Sequence, residues 1–202
     1  VTTKIKDEEV ANIMNKYDLI VLPVIDEQGK LVGRITIDDV VDFIKEEAEK
    51  DYQIASGIVE NVESHDTIFT LIKARIPWLL IGLIGGIIGA KIVGLFLENE
   101  EDLELAFIPL IAAMAGNIGI QSAAIVVQEL AGQKNIGHWS EKFFKELAIA
   151  SINGLICGIL IFFFCSFFYE LKDIYFPLRM SISLVSVMIY AALFGTFIPL
   201  FF

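Results

Sequence analysis

Two sets of polar residues in this sequence stand where their chemistry has to be explained. The first is Asn117, Gln121, Ala124 and Gln128, which follow i, i+4, i+7 and i+11 inside AFIPLIAAMAGNIGIQSAAIVVQEL. On an α-helix that spacing makes one stripe down a single face, within a stretch apolar enough to cross a bilayer. Amides deep in hydrocarbon need a partner or a wet path, so the stripe should face a pore or another helix. Two readings stay open on the pattern. Asn117 and Gln121 can hydrogen-bond between helices, at about 0.6–2 kcal/mol each. Alternatively, their uncharged oxygens can hold a magnesium ion through its waters, which so small a cation sheds reluctantly. Gly116 and Gly119 let a backbone or a hydrated ion approach closely, and Pro109 removes an amide and can bend the outer end of the span.

The second set is acidic: Asp38, Asp39, Asp42, Glu46, Glu47, Glu49 and Asp51, opposed only by Lys45 and Lys50. Such a run is an ordinary solvated helix face. Its place between a soluble segment and the first apolar run suggests more. Like charges about 4 Å apart repel by up to about 4 kcal/mol at an effective dielectric near 20, and a divalent ion reverses that sign. The two histidines, His65 and His138, fall in expected loops without partners at metal-ligand spacing. Cys157 and Cys165, eight residues apart in one apolar run, sit about 12 Å apart on a helix, too far for a disulfide, and read as packing residues. No nucleophile–base order, phosphate-binding glycine loop or paired acids in a pocket can be read, so an enzyme has nothing to stand on.

The elements that must position these residues divide the chain. Up to about residue 75 charged and apolar residues mix as in a globule, and beyond it come runs such as WLLIGLIGGIIGAKIVGLFL. DEEVANIMNKYDL reads as a helix with an acidic first turn and with Val10, Ile13 and Met14 on one face. IVLPVID and LVGRITI read as a β-hairpin turning at DEQGK, with Gly29 in the turn. A second helix is capped between Thr36 and Asp39 and runs to about Ser56. This order of helix, strand, strand and helix is about one repeat of a small α/β module, too short to bury a good core alone.

Four spans are expected at 76–97, 105–130, 147–169 and 179–202, each near the length a bilayer core demands. Lys73 and Arg75 precede the first, and Lys134, Lys142 and Lys145 lie between the second and third, whereas the loop ENEEDLE has no positive charge. The positive-inside rule then puts the N-terminus in the cytosol, and the absence of an apolar leader in residues 1–20 agrees. Lys172 and Arg179 on the outer side match less well. Lys91 reads as a snorkelling side chain near the outer interface. The formal net charge of −11 argues against a nucleic-acid partner. Phe202 ends an apolar run without flanking charge, so the chain is expected to continue beyond it.

At FIPLIAAMAGNIGIQSA the sequence resembles the signature of the MgtE magnesium channel family, with its Pro, glycine-rich turn, Asn and Gln. Upstream, KYDLIVLPVIDEQGKLVGRITIDDVVDFIKEEAEKD is similar to the end of that family's second cystathionine-β-synthase (CBS) module and the start of its connecting plug helix. PWLLIGLIGG matches the first span and FFKELAIASINGLICG the third. The resemblance implies a mainly α-helical polytopic membrane protein, with residues 1–42 as the end of a CBS module, 43–75 as plug helix and linker, and 76–202 as the transmembrane domain. It implies a homodimer in the plasma membrane that takes up Mg2+ and closes when cytosolic Mg2+ binds the acidic region. ATP at the CBS region of the full-length protein is a further expected partner. By position, Asp39, Asp42, Glu47 and Asp51 match the regulatory metal ligands, and Asn117, with Gln121 and Gly116, the ion pathway. Lys50 departs from an acidic position of that set, and the glycine pair before Asn117 stands here as Ala115 and Gly116. The family's N-terminal helical domain, first CBS module and acidic fifth span are not in this sequence. The rival readings are a membrane-anchored CBS nucleotide sensor, and a coupled transporter of another divalent metal, which should place ionisable groups inside the spans.

Overall fold

The structure is a computed structural model that describes residues 1–97, 103–132, 139–169 and 175–201. Lys134, His138 and Lys172, and most of the ENEEDLE loop, lie outside the described residues. The chain divides into two compact units, Val1–Asp51 and Tyr52–Phe202.

The first unit follows the expected order. Helix α1 (Asp7–Lys16) opens on Asp7, Glu8 and Glu9, whose charges suit the positive end of the helix dipole. Strands β1 (Val21–Ile25) and β2 (Leu31–Thr36) pair antiparallel with Leu22 opposite Ile35. Asp26 makes the turn: its Oδ1 accepts the amides of Gln28 and Lys30, each at 2.9 Å, and Gly29 takes φ +80°, where a side chain would be strained. Val10, Ala11 and Met14 of α1 pack on Leu22 and Val40. That core is small, as a partial module requires. Helix α2 (Ile37–Ala55) then runs unbroken through residue 42. It ends in a glycine cap: Gly57 at φ +81° lets Ile58 N–H bond Gln53 O and Gly57 N–H bond Ile54 O, both at 2.9 Å.

In the second unit four long apolar helices follow, α3 (Ile68–Gly94), α4 (Leu103–Ala131), α5 (Trp139–Phe168) and α6 (Phe176–Phe197). All four are long and apolar enough to cross a membrane, and this is a multi-pass membrane protein. Two helices start about eight residues before the expected spans. Thr67 caps α3, its Oγ1 accepting the Thr70 amide at 3.3 Å, and α5 begins on WSEKFFKE, an amphipathic turn ahead of its apolar run. At the other end of the chain Pro199 has no amide to donate, and α6 gives way to a 3-10 turn at Ile198–Phe201.

The helices close a ring in which α4 packs on α3 and α6, and α5 on α3 and α6. Its interior holds Leu83, Phe107, Met114, Ile118, Cys157 and Leu184. In lipid no hydrophobic drive brings helices together, so small residues that let backbones meet become decisive. Gly119 of α4 faces Ala191 of α6, and a Cβ on Gly195 of α6 would overlap the Gly119 carbonyl. The two Cys side chains are free and buried in that interior. We expect Gly195→Ala to force α4 and α6 apart and to cost about 1–3 kcal/mol, as overpacking does. Thermal unfolding of the detergent-solubilised protein should show the lower midpoint, and an unchanged midpoint would mean that these backbones do not touch.

Candidate functional site

The amides of the α4 stripe do not share one environment. Asn117 is half-buried and sits at the edge of a face on which Ala112, Ala113 and Gly116 are exposed. Nothing lies within 4 Å of where a Cβ on Gly116 would stand, whereas a Cβ on Gly82 of α3 would lie 2.5 Å from Asn117 Nδ2. The absence of a side chain at Gly82 therefore makes room for the Asn117 amide. Among the described residues no group hydrogen-bonds that amide.

One turn along, Gln121 is fully buried. Its Nε2 donates to Gly57 O at 2.7 Å and to Arg75 O at 3.4 Å. Two carbonyls on that side fix which end of the amide is nitrogen, and they leave Oε1 without a partner among the described residues. Ala124 is buried too, and Gln128 Oε1 accepts from Gln53 Nε2 at 2.7 Å. The stripe thus runs from an open position at Asn117 into the segment that links α2 to α3.

That segment has a charged anchor which the spacing of residues does not reveal. Arg75 of α3 and Glu146 of α5 form a two-pronged pair, Nη1 to Oε1 at 2.6 Å and Nη2 to Oε2 at 3.2 Å. Ser122 of α4 donates to Glu146 Oε1 and receives a long contact of 3.4 Å from Arg75 Nη1. Arg75 is 1% exposed and Glu146 9%, so three helices meet on one desolvated ion pair. In sequence Arg75 counts only as a flanking positive charge. The signal that could have found the pair is Glu146, a carboxylate leading into the apolar run of α5. Lys145 beside it donates to the carbonyls of Ser64 and Asp66, which fixes the linker from the other side.

The regulatory candidates sit on α2. Asp39, Asp42 and Asp51 are exposed and Glu47 half-exposed, and at 100° per residue they spread over roughly half the helix circumference. Glu47 lies 3.4 Å from Lys50. Asp39 is already engaged locally, because its Oδ2 accepts the Thr36 amide at 2.8 Å and the Thr36 hydroxyl at 2.7 Å, the returning half of a capping box. Those hydrogen bonds hold its carboxyl below the usual carboxylate range. Among the described residues no three His, Cys, Asp or Glu side chains converge as a metal site. His65 is exposed beside Glu63. Lys91 is exposed with its ammonium over the rings of Phe164 and Phe168, 5.5 and 4.7 Å from their centroids, a cation–π seat.

Residues 108–202 match the family model described as MgtE, a divalent cation transporter, and residues 7–46 match the CBS domain. The magnesium transporter MgtE of Thermus thermophilus is 33% identical over 204 residues, covering 98% of this chain and 45% of that protein. Those of Bacillus subtilis and Enterococcus faecalis are 31% and 32% identical, each over 76% of this chain, covering 35% and 34% of their own lengths. The chain spans less than half the length of these curated relatives.

Removing one member of a buried ion pair strands the other. Glu146→Gln and Arg75→Met should each lower stability by about 3 kcal/mol. The double variant Arg75→Met/Glu146→Met should lose less than either alone, because no unpaired charge is left behind. Thermal melts of the four proteins in one detergent check this, and strictly additive losses would contradict it.

Proposed function

Because this chain belongs to the MgtE family of divalent cation transporters, we propose that the full-length protein is a homodimeric channel for Mg2+ uptake in the plasma membrane, with its N-terminus in the cytosol. The relatives above are named magnesium transporters, which supports the ion. The observation that carries the path is Asn117, an unpartnered amide beside an exposed Gly116 in the middle of an apolar helix. A neutral oxygen there can accept from the waters of a hydrated cation without trapping it. Gly116 leaves that hydrated ion the room to pass, and Gln121 supports the same stretch of α4 from beneath.

In this reading Asp39, Asp42, Glu47 and Asp51 bind cytosolic Mg2+ between α2 and parts of the dimer beyond this chain, and binding closes the path. The exposure of these carboxylates on one helix supports it, since a lone chain need not assemble the whole ligand set. Binding in the millimolar range supplies about 4 kcal/mol, enough to shift a two-state gate when the ion favours one state. The match of residues 7–46 to the CBS domain makes ATP a further proposed ligand of the full-length protein.

Asn117→Leu in the full-length protein should cut Mg2+ uptake into indicator-loaded proteoliposomes about tenfold or more, a loss of about 1.4 kcal/mol, with the dimer intact by size-exclusion chromatography. Wild-type rates in that variant would remove Asn117 from the path. Neutralising Asp39, Asp42 and Glu47 together should leave uptake running at high internal Mg2+. Closure at the wild-type internal concentration would make the acidic helix a solvated surface and nothing more.

A further inference from the structure

Three glutamines join the end of α2 to the helix that carries Asn117. Gln53, 2% exposed in the last turns of α2, bonds both ways with Val62: its Nε2 donates to Val62 O at 2.6 Å and its Oε1 accepts Val62 N–H at 3.0 Å. The same Nε2 reaches Gln128 Oε1 of α4 at 2.7 Å. Two turns along α4, Gln121 grips the Gly57 carbonyl at 2.7 Å.

Between these points the linker has no slack. Val59 N–H bonds Ala74 O of α3 at 3.0 Å. Ile58 and Val62 are buried with Ala74, Ala124, Ile125 and Ile149. Gly57 presses on the Trp78 ring so closely that a Cβ would lie 2.5 Å from it. A segment held at Gly57 by Gln121 of α4, in the middle by α3 and at Val62 by Gln53, which itself bonds Gln128 of α4, cannot shift without α4 responding, because buried amides that lose their partners cost more than a small helix displacement.

We propose that Gln53, acting with Gln121 and Gln128, is a clamp that passes the position of α2 to α4, so that metal on α2 reaches Asn117 through these hydrogen bonds. Gln53 is a positioning residue: it touches no ion and works through the linker and Gln128. The proposal rests on the gated reading given above and supplies its mechanical link.

The test uses the full-length protein in lipid, with two readouts. In Gln53→Leu, amide hydrogen exchange across residues 58–62 should accelerate at least tenfold. The internal Mg2+ concentration for half-closure should move at least tenfold or disappear, while maximal uptake stays within twofold of wild type. Gln53→Glu keeps the acceptor for Val62 N–H but loses the donor to both Val62 O and Gln128, and should behave likewise. Adding Gln128→Lys to it returns a donor to the pair and should bring the response back toward wild type, a rescue that general loosening of the fold would not give.

Unchanged exchange in Gln53→Leu overturns the clamp, whatever the protein transports. Faster exchange with an unaltered Mg2+ response overturns its role in transmission. A wild-type protein indifferent to internal Mg2+ sinks the gating reading itself, and that result is told apart from failure of the clamp, in which wild type and Gln53→Leu respond alike.

Discussion

The membrane unit depends on the ion pair between Arg75 and Glu146. Two charges taken out of water are tolerated only when they meet in good geometry and their remaining donors and acceptors are met. The guanidinium fork on the carboxylate, with Ser122 as a third partner, supplies that geometry, while the buried Arg75 Nε is left without a partner among the described residues. Each of the three residues comes from a different helix, so satisfying the pair fixes α3, α4 and α5 against one another. Apolar packing in lipid could not do this alone, because a helix face of Leu and Ile is as well satisfied by acyl chains as by another helix. Direction enters through the few polar groups that accept only one arrangement.

The same logic divides α4 between two roles. From Gln121 onward its polar and small residues are committed to the interior of the chain, to Gly57, to Arg75 and to Gln53. At Asn117 and Gly116 they are not, and the helix presents small residues to whatever lies outside the single chain. One helix thus carries a fixed half and an open half, and the fixed half determines where the open half stands. Gly119 and Gly195 add to this by bringing the α4 and α6 backbones together, so α4 is held from α3 on one side and from α6 on the other.

The acidic helix α2 works by the opposite principle. Its carboxylates stay largely in water, where repulsion between them is weak and screened. Two of them are already engaged locally, Asp39 by the Thr36 amide and hydroxyl and Glu47 by Lys50. The helix that carries these charges ends in a buried turn around Gln53 and Gly57. An exposed acidic face and a buried seat are thereby parts of one element.

Much of this was legible in the residues. The hairpin at DEQGK, the N-terminal cap of α2 and four membrane helices follow from turn chemistry, periodicity and apolar length, all of which are local properties. The polar run in α4 was equally visible as an anomaly in hydrocarbon. What spacing could not tell was where each amide on that stripe points, because a helical wheel gives angles and says nothing of which neighbour waits at each. Asn117 and Gln121 are one turn apart on one face, yet one is open and the other is sealed under the linker. Arg75 and Glu146 are 71 residues apart, and no local pattern links them. Composition and period determined that this chain would fold into a small α/β module followed by membrane helices. Tertiary structure alone decided which polar groups hold the helices together and which remain without a partner among the described residues, because hydrogen-bond partners in a bundle are chosen by three-dimensional contact between segments far apart in the chain.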